Sequence, residues 1–125
     1  GIVLKPNMVV PASDCPNQAS VEQVAEATVK VLMAQVPASV PGIAFLSGGQ
    51  SDELATAHLS AMNAMFKVPW RLTFSYGRAL QAAALKAWGG RPENEATAQA
   101  AFSHRAKMNS LAATGKWNTG LEKAA

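Results

Sequence analysis

Short apolar runs alternate along this chain with longer segments in which apolar residues recur every three or four positions. The short runs have strand length and lie at residues 1–4, 43–46 and 70–75. A segment of helical periodicity follows each run, and no two runs are joined by a hairpin turn signal. The pattern therefore predicts the order β-α-β-α-β-α-α, with three parallel strands that are apolar throughout because helices cover both faces.

Helix boundaries are marked by polar caps and by prolines. Ser20 and Gln23 have the spacing of a capping box, and Pro37 predicts that the first helix ends near residue 36. This helix is expected to bury one stripe, made of Val21, Val24, Ala25, Thr28, Val31 and Leu32. Ser51 is the predicted N-cap of a second helix that reaches residue 65. Two further helices are expected at residues 79–88 and from about 93 to 113, followed by a short polar tail.

Aromatic and sulfur-containing side chains predict where the helices and the tail pack. Trp70 and Trp88 are expected to lie where strand and helix meet, and Trp117 and Leu121 are the expected anchors of the tail. Met62, Met65 and Phe66 have helical spacing, which is typical of core positions or of contacts with further parts of a larger fold.

The amino-acid composition limits the kinds of molecule that the protein is expected to bind. The chain has 125 residues, of which 49% are apolar and only 15% are charged, below the usual quarter or so. It is long enough for one domain, and its start inside a strand suggests a piece of something longer. The net charge of +3 comes without a basic stripe, and no apolar run approaches the roughly 18 residues of a membrane span. Neither nucleic acid nor a membrane is therefore expected, and the single Cys15 fits a reducing compartment.

Lys5 ends the first apolar run, and Pro6 follows it at once. Because proline cannot donate a ladder hydrogen bond, Lys5 is expected at the last position of a buried strand. The carboxyl ends of parallel strands are where α/β folds place their chemistry. An amine held against apolar walls loses hydration, becomes neutral more easily and is then a nucleophile toward carbonyls. The alternative is a lysine that simply leaves a strand for solvent.

Two glycine-containing loops follow the other strands. Ser47, Gly48 and Gly49 come directly after the second strand, and Ser75, Gly77 and Arg78 come after the third. Glycines let a backbone approach an anion closely, the free N–H groups of a helix start attract it, and a guanidinium suits phosphate oxygens. Each feature alone is also compatible with a tight turn or a surface arginine.

Parallel strands bring these three ends to one rim. In the eight-stranded (β/α)₈ barrel, a phosphate site often forms from the loops after strands seven and eight. If the chain holds the last three strands, Lys5 ends the sixth. An amine and an anion site would then share one cavity, as a phosphorylated carbonyl substrate requires.

Four strings strengthen this interpretation: L-K-P-N-M-V, P-G-I-A-F-L-S-G-G-Q-S, L-T-F-S-Y-G-R-A-L-Q and L-K-A-W-G-G. They resemble class I fructose-bisphosphate aldolase from residue 1 to about residue 111. The resemblance implies the C-terminal part of a (β/α)₈ barrel, comprising three βα units and a C-terminal helix, within one domain whose N-terminal part is absent. It implies a Schiff base at Lys5 and phosphate binding by Ser47, Gly48, Gly49, Gly77 and Arg78, with Ser75 beside the lysine.

The resemblance also implies a phosphorylated ketose substrate, no cofactor or metal, a cytoplasmic location and a homo-oligomer, in the family usually a tetramer. The family's general acid/base carboxylate lies on earlier strands, so the fragment alone is expected to be inactive. No tyrosine follows Tyr76, which leaves the terminal tyrosine of the larger animal enzymes without a counterpart.

Two other functions remain open. One is a different Schiff-base barrel enzyme, of the transaldolase or deoxyribose-phosphate aldolase kind, although the two glycine loops argue against it. The other is a non-catalytic module that binds a phosphosugar or a protein. His58 and His104 are expected to stay outside the site and to bind no metal, Cys15 to be an ordinary thiol, and Asn7 to serve a turn or reach the rim.

Overall fold

Three parallel strands form a single sheet in the order β1-β2-β3, and the helices pack around it. The computed structural model describes residues 1–123. The strands are β1 (Val3–Leu4), β2 (Gly42–Phe45) and β3 (Arg71–Phe74). The helices are α1 (Val21–Gln35), α2 (Asp52–Met65), α3 (Arg78–Trp88), α4 (Glu95–Ala112) and α5 (Thr119–Glu122), with a 3₁₀ turn at Pro92–Asn94. The predicted alternation is confirmed, and α5 and the 3₁₀ turn are additions to it.

The helix starts follow from the caps. The Ser20 hydroxyl accepts from the Gln23 N–H at 3.2 Å, and the Gln23 side chain accepts from the Ser20 N–H at 2.8 Å, so the predicted capping box is present. Ser51 caps α2 in the same way by accepting from the Leu54 N–H at 3.2 Å. Each cap satisfies backbone donors that the first helical turn leaves without partners, which fixes where α1 and α2 leave the rim.

The core lies between the sheet and the helices α1 and α2. Ile43 and Phe45 on the central strand are fully buried against Leu59 and Met62 of α2. Asn63 of α2 donates to Leu72 O at 3.3 Å and to Ala112 O at 3.2 Å, and so joins the end of α4 to the sheet. Trp70 is buried as predicted, and its indole N–H donates to Pro37 O at 2.9 Å.

Three burial predictions are wrong. Val3 in β1 is 61% exposed, because β1 is an edge strand and no segment within residues 1–123 pairs with its outer side. Val31 is also exposed and Val29 is buried instead, since Val31 lies roughly 90° around the helix from the centre of the buried arc. Trp88, the third, is exposed at the end of α3. Met65 is exposed at the end of α2, which is compatible with the second interpretation of its spacing, a contact with further parts of a larger fold.

The tail is anchored by Glu122, which the sequence analysis did not single out. Arg105, itself buried on α4, donates to both carboxylate oxygens of Glu122, one of them at 3.0 Å. The Trp117 N–H donates to the same carboxylate at 2.8 Å, and His104 lies 3.4 Å from it. Trp117 packs on the core as predicted, and Leu121 is partly buried. Glu122 therefore ties α5 to α4.

Replacing Glu122 by glutamine is expected to lower the free energy of unfolding by about 2 kcal/mol at neutral pH. Burial raises the pKa of Glu122, but hydrogen bonds from Arg105 and Trp117 outweigh it and hold the pKa below the ordinary range of a glutamate. A lowered folded-state pKa contributes stability that is present above the unfolded-state pKa and lost as pH falls through the folded value. The difference between the two proteins should thus persist from pH 5 to 8 and shrink below about pH 4.5, as read by urea unfolding.

Glu26→Gln on the exposed side of α1 is the matched control for this charge change. It should leave the unfolding midpoint nearly unchanged at every pH. A Glu122 variant that matched this control would contradict the anchoring role of the carboxylate.

Candidate active site

Lys5 directly follows β1 and lies at the end of the sheet where all three parallel strands terminate. Its side chain is exposed, and none of the ion pairs within residues 1–123 includes it. The predicted apolar enclosure of Lys5 is therefore wrong for this chain. The physical reason is the open outer edge of β1, where Ile2 and Val3 are also exposed.

The loop after β2 combines a buried serine with two exposed glycines. Ser47 is buried, and the Gln50 N–H donates to Ser47 O at 3.2 Å to close the turn. Gly48 has φ +54°, a left-handed conformation that favours glycine. Within residues 1–123 the backbone N–H groups of Gly48 and Gly49 have no acceptor. They are therefore available to an anion immediately before the start of α2.

The loop after Lys5 contacts this glycine loop. The Leu46 N–H donates to Pro6 O at 3.0 Å, which extends the pairing of β1 and β2 past the ends of both strands. A Cβ on Gly48 would lie only 3.1 Å from the Asn7 side-chain oxygen. Asn7 also accepts from the Met8 N–H at 2.9 Å, and no turn is assigned at residues 5–10, so of its two expected roles the structure supports the one at the rim. Two of the three strand ends are thus in direct contact.

The loop after β3 joins the same group. The Ser75 N–H donates to Phe45 O at 2.8 Å, which places exposed Ser75 beside the end of β2. Gly77 is the N-cap of α3, and a Cβ there would meet nothing within 4 Å, so its surroundings are open. Tyr76 lies between Ser75 and Gly77 in the sequence and is buried. Its hydroxyl donates to Ala55 O at 2.9 Å. Burial raises the pKa of Tyr76 above its usual range, which keeps the hydroxyl protonated and in a structural role.

Arg78 connects the second and third loops. It donates to Gly48 O at 3.2 Å and to Gln50 O, and it pairs with Asp52 Oδ1 at 3.1 Å. A guanidinium has five N–H donors, and these three bonds leave two of them for a ligand. Arg78 therefore shapes the loop after β2 and still presents positive charge next to it.

His58, which the sequence places outside the site, is connected through Gln50 to the loop after β2. It is buried on α2, and its Nδ1 lies 2.5 Å from Gln50 Oε1, while Gln50 Nε2 donates to Ser47 O at 2.9 Å. Burial lowers the pKa of His58 to about 4, although Glu22 acts in the opposite direction. The sequence signal was its position seven residues after the Ser51 cap, which returns it to the face of α2 that begins at the loop.

An uncharged cavity of about 500 Å³ lies beside this loop, lined among others by Val10, Leu54 and His58. Among residues 1–123, no three His, Cys, Asp or Glu side chains are placed to hold a metal ion. No helix in that part of the chain is both long and apolar enough to cross a bilayer.

The rim places the amine of Lys5 on the same edge of the sheet as the backbone N–H groups of Gly48 and Gly49. The structure brings Lys5, Ser47, Gly48, Gly49, Ser75, Gly77 and Arg78 to adjacent ends of one sheet. An amine can add to a carbonyl, and backbone N–H groups with a guanidinium can bind a phosphate.

Comparisons with known proteins point the same way. A family model described as fructose-bisphosphate aldolase class-I matches residues 1–125. A probable fructose-bisphosphate aldolase class 1 of Xylella fastidiosa is 56% identical over 118 residues, which are 94% of this chain and 35% of that protein. Fructose-bisphosphate aldolase B of Gallus gallus is 56% identical over 120 residues, 95% of this chain and 33% of its own length.

A solved structure agrees with these sequences. The aldolase of Plasmodium falciparum, in a complex with TRAP and a small-molecule inhibitor, superposes with a TM-score of 0.91 at 47% identity. The match covers 94% of this chain and 34% of that one. The present chain thus spans about a third of the length of the relatives it matches. The match favours fructose-bisphosphate aldolase over the other Schiff-base enzymes considered from the sequence. The chain belongs to the class I fructose-bisphosphate aldolase family.

Proposed function

We propose that this chain is the C-terminal part of a (β/α)₈-barrel aldolase that cleaves fructose 1,6-bisphosphate reversibly into dihydroxyacetone phosphate and glyceraldehyde 3-phosphate. It would contribute the last three βα units and the C-terminal helix of a single domain. The supporting observation is the placement of Lys5 on the same rim as the loops Ser47–Gly49 and Gly77–Arg78, in a chain of this family.

Lys5 is the proposed nucleophile. Its neutral amine adds to the ketone carbon of the substrate, and uptake of a proton with loss of water gives a cationic iminium. A base from the N-terminal part of the barrel removes the proton of the hydroxyl that becomes the aldehyde oxygen. The carbon–carbon bond next to that hydroxyl breaks, its electrons move into the iminium, and the aldehyde leaves behind an enamine. Protonation of the enamine carbon and hydrolysis of the imine release the second product and restore the amine. The exposure of Lys5 means that the rest of the barrel must supply its walls.

The two loops are proposed to bind a substrate phosphate. Gly48 and Gly49 offer backbone N–H groups, and Gly77 and Arg78 add a helix start and a cation, while Ser47 and Ser75 supply hydroxyls. Holding the phosphate fixes the carbonyl at the amine, which converts a bimolecular encounter into an oriented one. The proton transfers require carboxylates from the N-terminal part of the barrel.

The proposal also covers the substrate class, the cellular location and the assembly of the enzyme. The substrate is a phosphorylated ketose, the protein works in the cytoplasm as a homo-oligomer, a tetramer by family resemblance, and no cofactor, nucleic acid or membrane takes part. The small net charge of +3, without a basic stripe, supports the exclusion of nucleic acid as a partner.

The test is an activity assay of the chain alone and of the chain fused behind the first two-thirds of the Xylella fastidiosa relative. The fusion is expected to cleave fructose 1,6-bisphosphate, because it restores all eight strands of the barrel together with the general acid. The chain alone should be slower by about 10³-fold or more.

Comparison with fructose 1-phosphate in the same assay separates this function from Schiff-base enzymes that take one phosphate. Normal turnover by the isolated chain would contradict the proposal that it is one part of the site. A folded fusion without activity would instead favour the non-catalytic phosphosugar-binding or protein-binding module.

A further inference from the structure

His58 and Gln50 form a buried relay beneath the glycine loop. His58 is 1% exposed and Gln50 is 6% exposed, so water does not replace their mutual hydrogen bond. The relay runs from His58 Nδ1 to Gln50 Oε1 at 2.5 Å and from Gln50 Nε2 to Ser47 O at 2.9 Å. It ends on the carbonyl of a residue assigned to the phosphate site.

The direction of the relay follows from its chemistry. The Gln50 amide nitrogen donates to Ser47 O, so the Gln50 oxygen is left as the acceptor for His58. His58 must therefore carry its proton on Nδ1, and Nε2 is then a bare acceptor. Nε2 is the one buried side-chain polar atom within residues 1–123 that has no hydrogen-bond partner.

The direction of the Ser47 carbonyl fixes the direction of the Gly48 N–H, which belongs to the same peptide plane. All peptide bonds among residues 1–123 are trans, and in a trans peptide the C=O and the following N–H point in opposite directions. Two donors from Gln50, its backbone N–H and its side chain, hold Ser47 O on the inner side of the turn. The Gly48 N–H of the same peptide plane is thereby directed outward.

We infer that His58 is a positioning residue for substrate phosphate: through Gln50 it fixes the Ser47–Gly48 peptide so that the Gly48 N–H faces the anion. The inference rests on the proposed function of the loop. The unpartnered Nε2 supports it, because a buried polar atom without a partner destabilises the fold. An apolar residue would avoid that penalty, so the fold itself gains little from a histidine at this position.

The test is titration of the 125-residue chain with inorganic phosphate, followed by the amide signals of Gly48 and Gly49 in ¹H–¹⁵N spectra. His58→Leu and Gln50→Met should each raise the dissociation constant for phosphate about threefold to tenfold, the effect of losing one hydrogen bond. The dissociation constant of the double variant should not exceed that of the weaker-binding single variant, since both changes break the same pair of hydrogen bonds. His104→Leu, a histidine change on α4 away from the loop, is the control and should bind as the unaltered chain does.

Thermal unfolding distinguishes positioning from a structural role. His58→Leu should keep its midpoint within about 4 °C of the unaltered chain while amide exchange rises at residues 47–50 only. A larger fall in the midpoint together with weaker binding would assign His58 to fold stability and overturn the inference. Equal phosphate affinity in the variants would overturn it and leave the proposed function intact.

The tautomer is measured on the unaltered chain, so the result does not depend on whether a variant folds. Ring ¹⁵N shifts at pH 7 should show His58 protonated at Nδ1 and bare at Nε2, and a proton on Nε2 instead would overturn the relay. If phosphate moved neither the Gly48 nor the Gly49 signal in the unaltered chain, the proposed phosphate site would fail, and the inference with it.

Discussion

Replacing Lys5 by methionine in the fused barrel abolishes fructose 1,6-bisphosphate cleavage, with an expected loss in kcat on the order of 10⁴-fold or more. Methionine has a similar length but no amine, so the iminium that accepts the electrons of the breaking bond cannot form. The measurement is the initial rate of triose phosphate release at saturating substrate. Substrate binding should survive, because the phosphate loops are intact.

Lys30→Met is the matched control, since Lys30 is an exposed lysine on α1 far along the chain from the rim. Its rate should equal that of the unaltered fusion within about twofold. A Lys5 variant that kept more than a tenth of the activity would contradict the Schiff-base mechanism and favour one in which the amine only binds substrate.

Replacing Gly115 by alanine is expected to destabilise the fold by about 2–5 kcal/mol. Gly115 has φ +68°, and an alanine Cβ there would lie 3.0 Å from the Ala64 backbone nitrogen and 3.1 Å from the Ala64 Cα. The left-handed conformation contributes about 1–2 kcal/mol of this loss, and overpacking against a helix backbone that cannot give way adds about 1–3 kcal/mol. Urea unfolding of the chain measures the sum.

Gly90→Ala separates the two causes. Gly90 has φ +73°, but a Cβ there would meet nothing within 4 Å. Its substitution should therefore show only the conformational part, about 1–2 kcal/mol. Equal destabilisation by the two substitutions would show that α2 and the segment after α4 do not approach each other as closely as the structure indicates.

Most of the fold could be predicted because local signals agree with the tertiary structure. The capping box of Ser20 and Gln23 and the cap at Ser51 set helix starts that the structure keeps to the residue. The strand runs were each found within one or two residues, since short apolar runs between helices leave little choice of register. The sequence could not show that β1 is an edge strand with an exposed outer side. Val3 and Trp88 look like core residues by type, but both are exposed, Val3 on the edge strand β1 and Trp88 at the end of α3.

The site was predictable where it depends on position along strands and not where it depends on contacts between elements. Parallel strands must bring Lys5, Ser47 and Ser75 to one edge, and they do. By contrast, Glu122 anchors the tail through Arg105, which lies 17 residues away. His58 acts on the loop through Gln50, which only the path of α2 reveals. Long-range hydrogen bonds of this kind have no periodic pattern in the sequence.

Borohydride reduction of the fused barrel with dihydroxyacetone phosphate, followed by peptide mass mapping, tests most directly whether the amine and the phosphate loops act on one substrate. We expect a single reduced adduct on Lys5, lost in Lys5→Met and strongly diminished when Arg78 is replaced by alanine. An adduct on another lysine, or labelling of Lys5 that is indifferent to Arg78, would contradict this expectation.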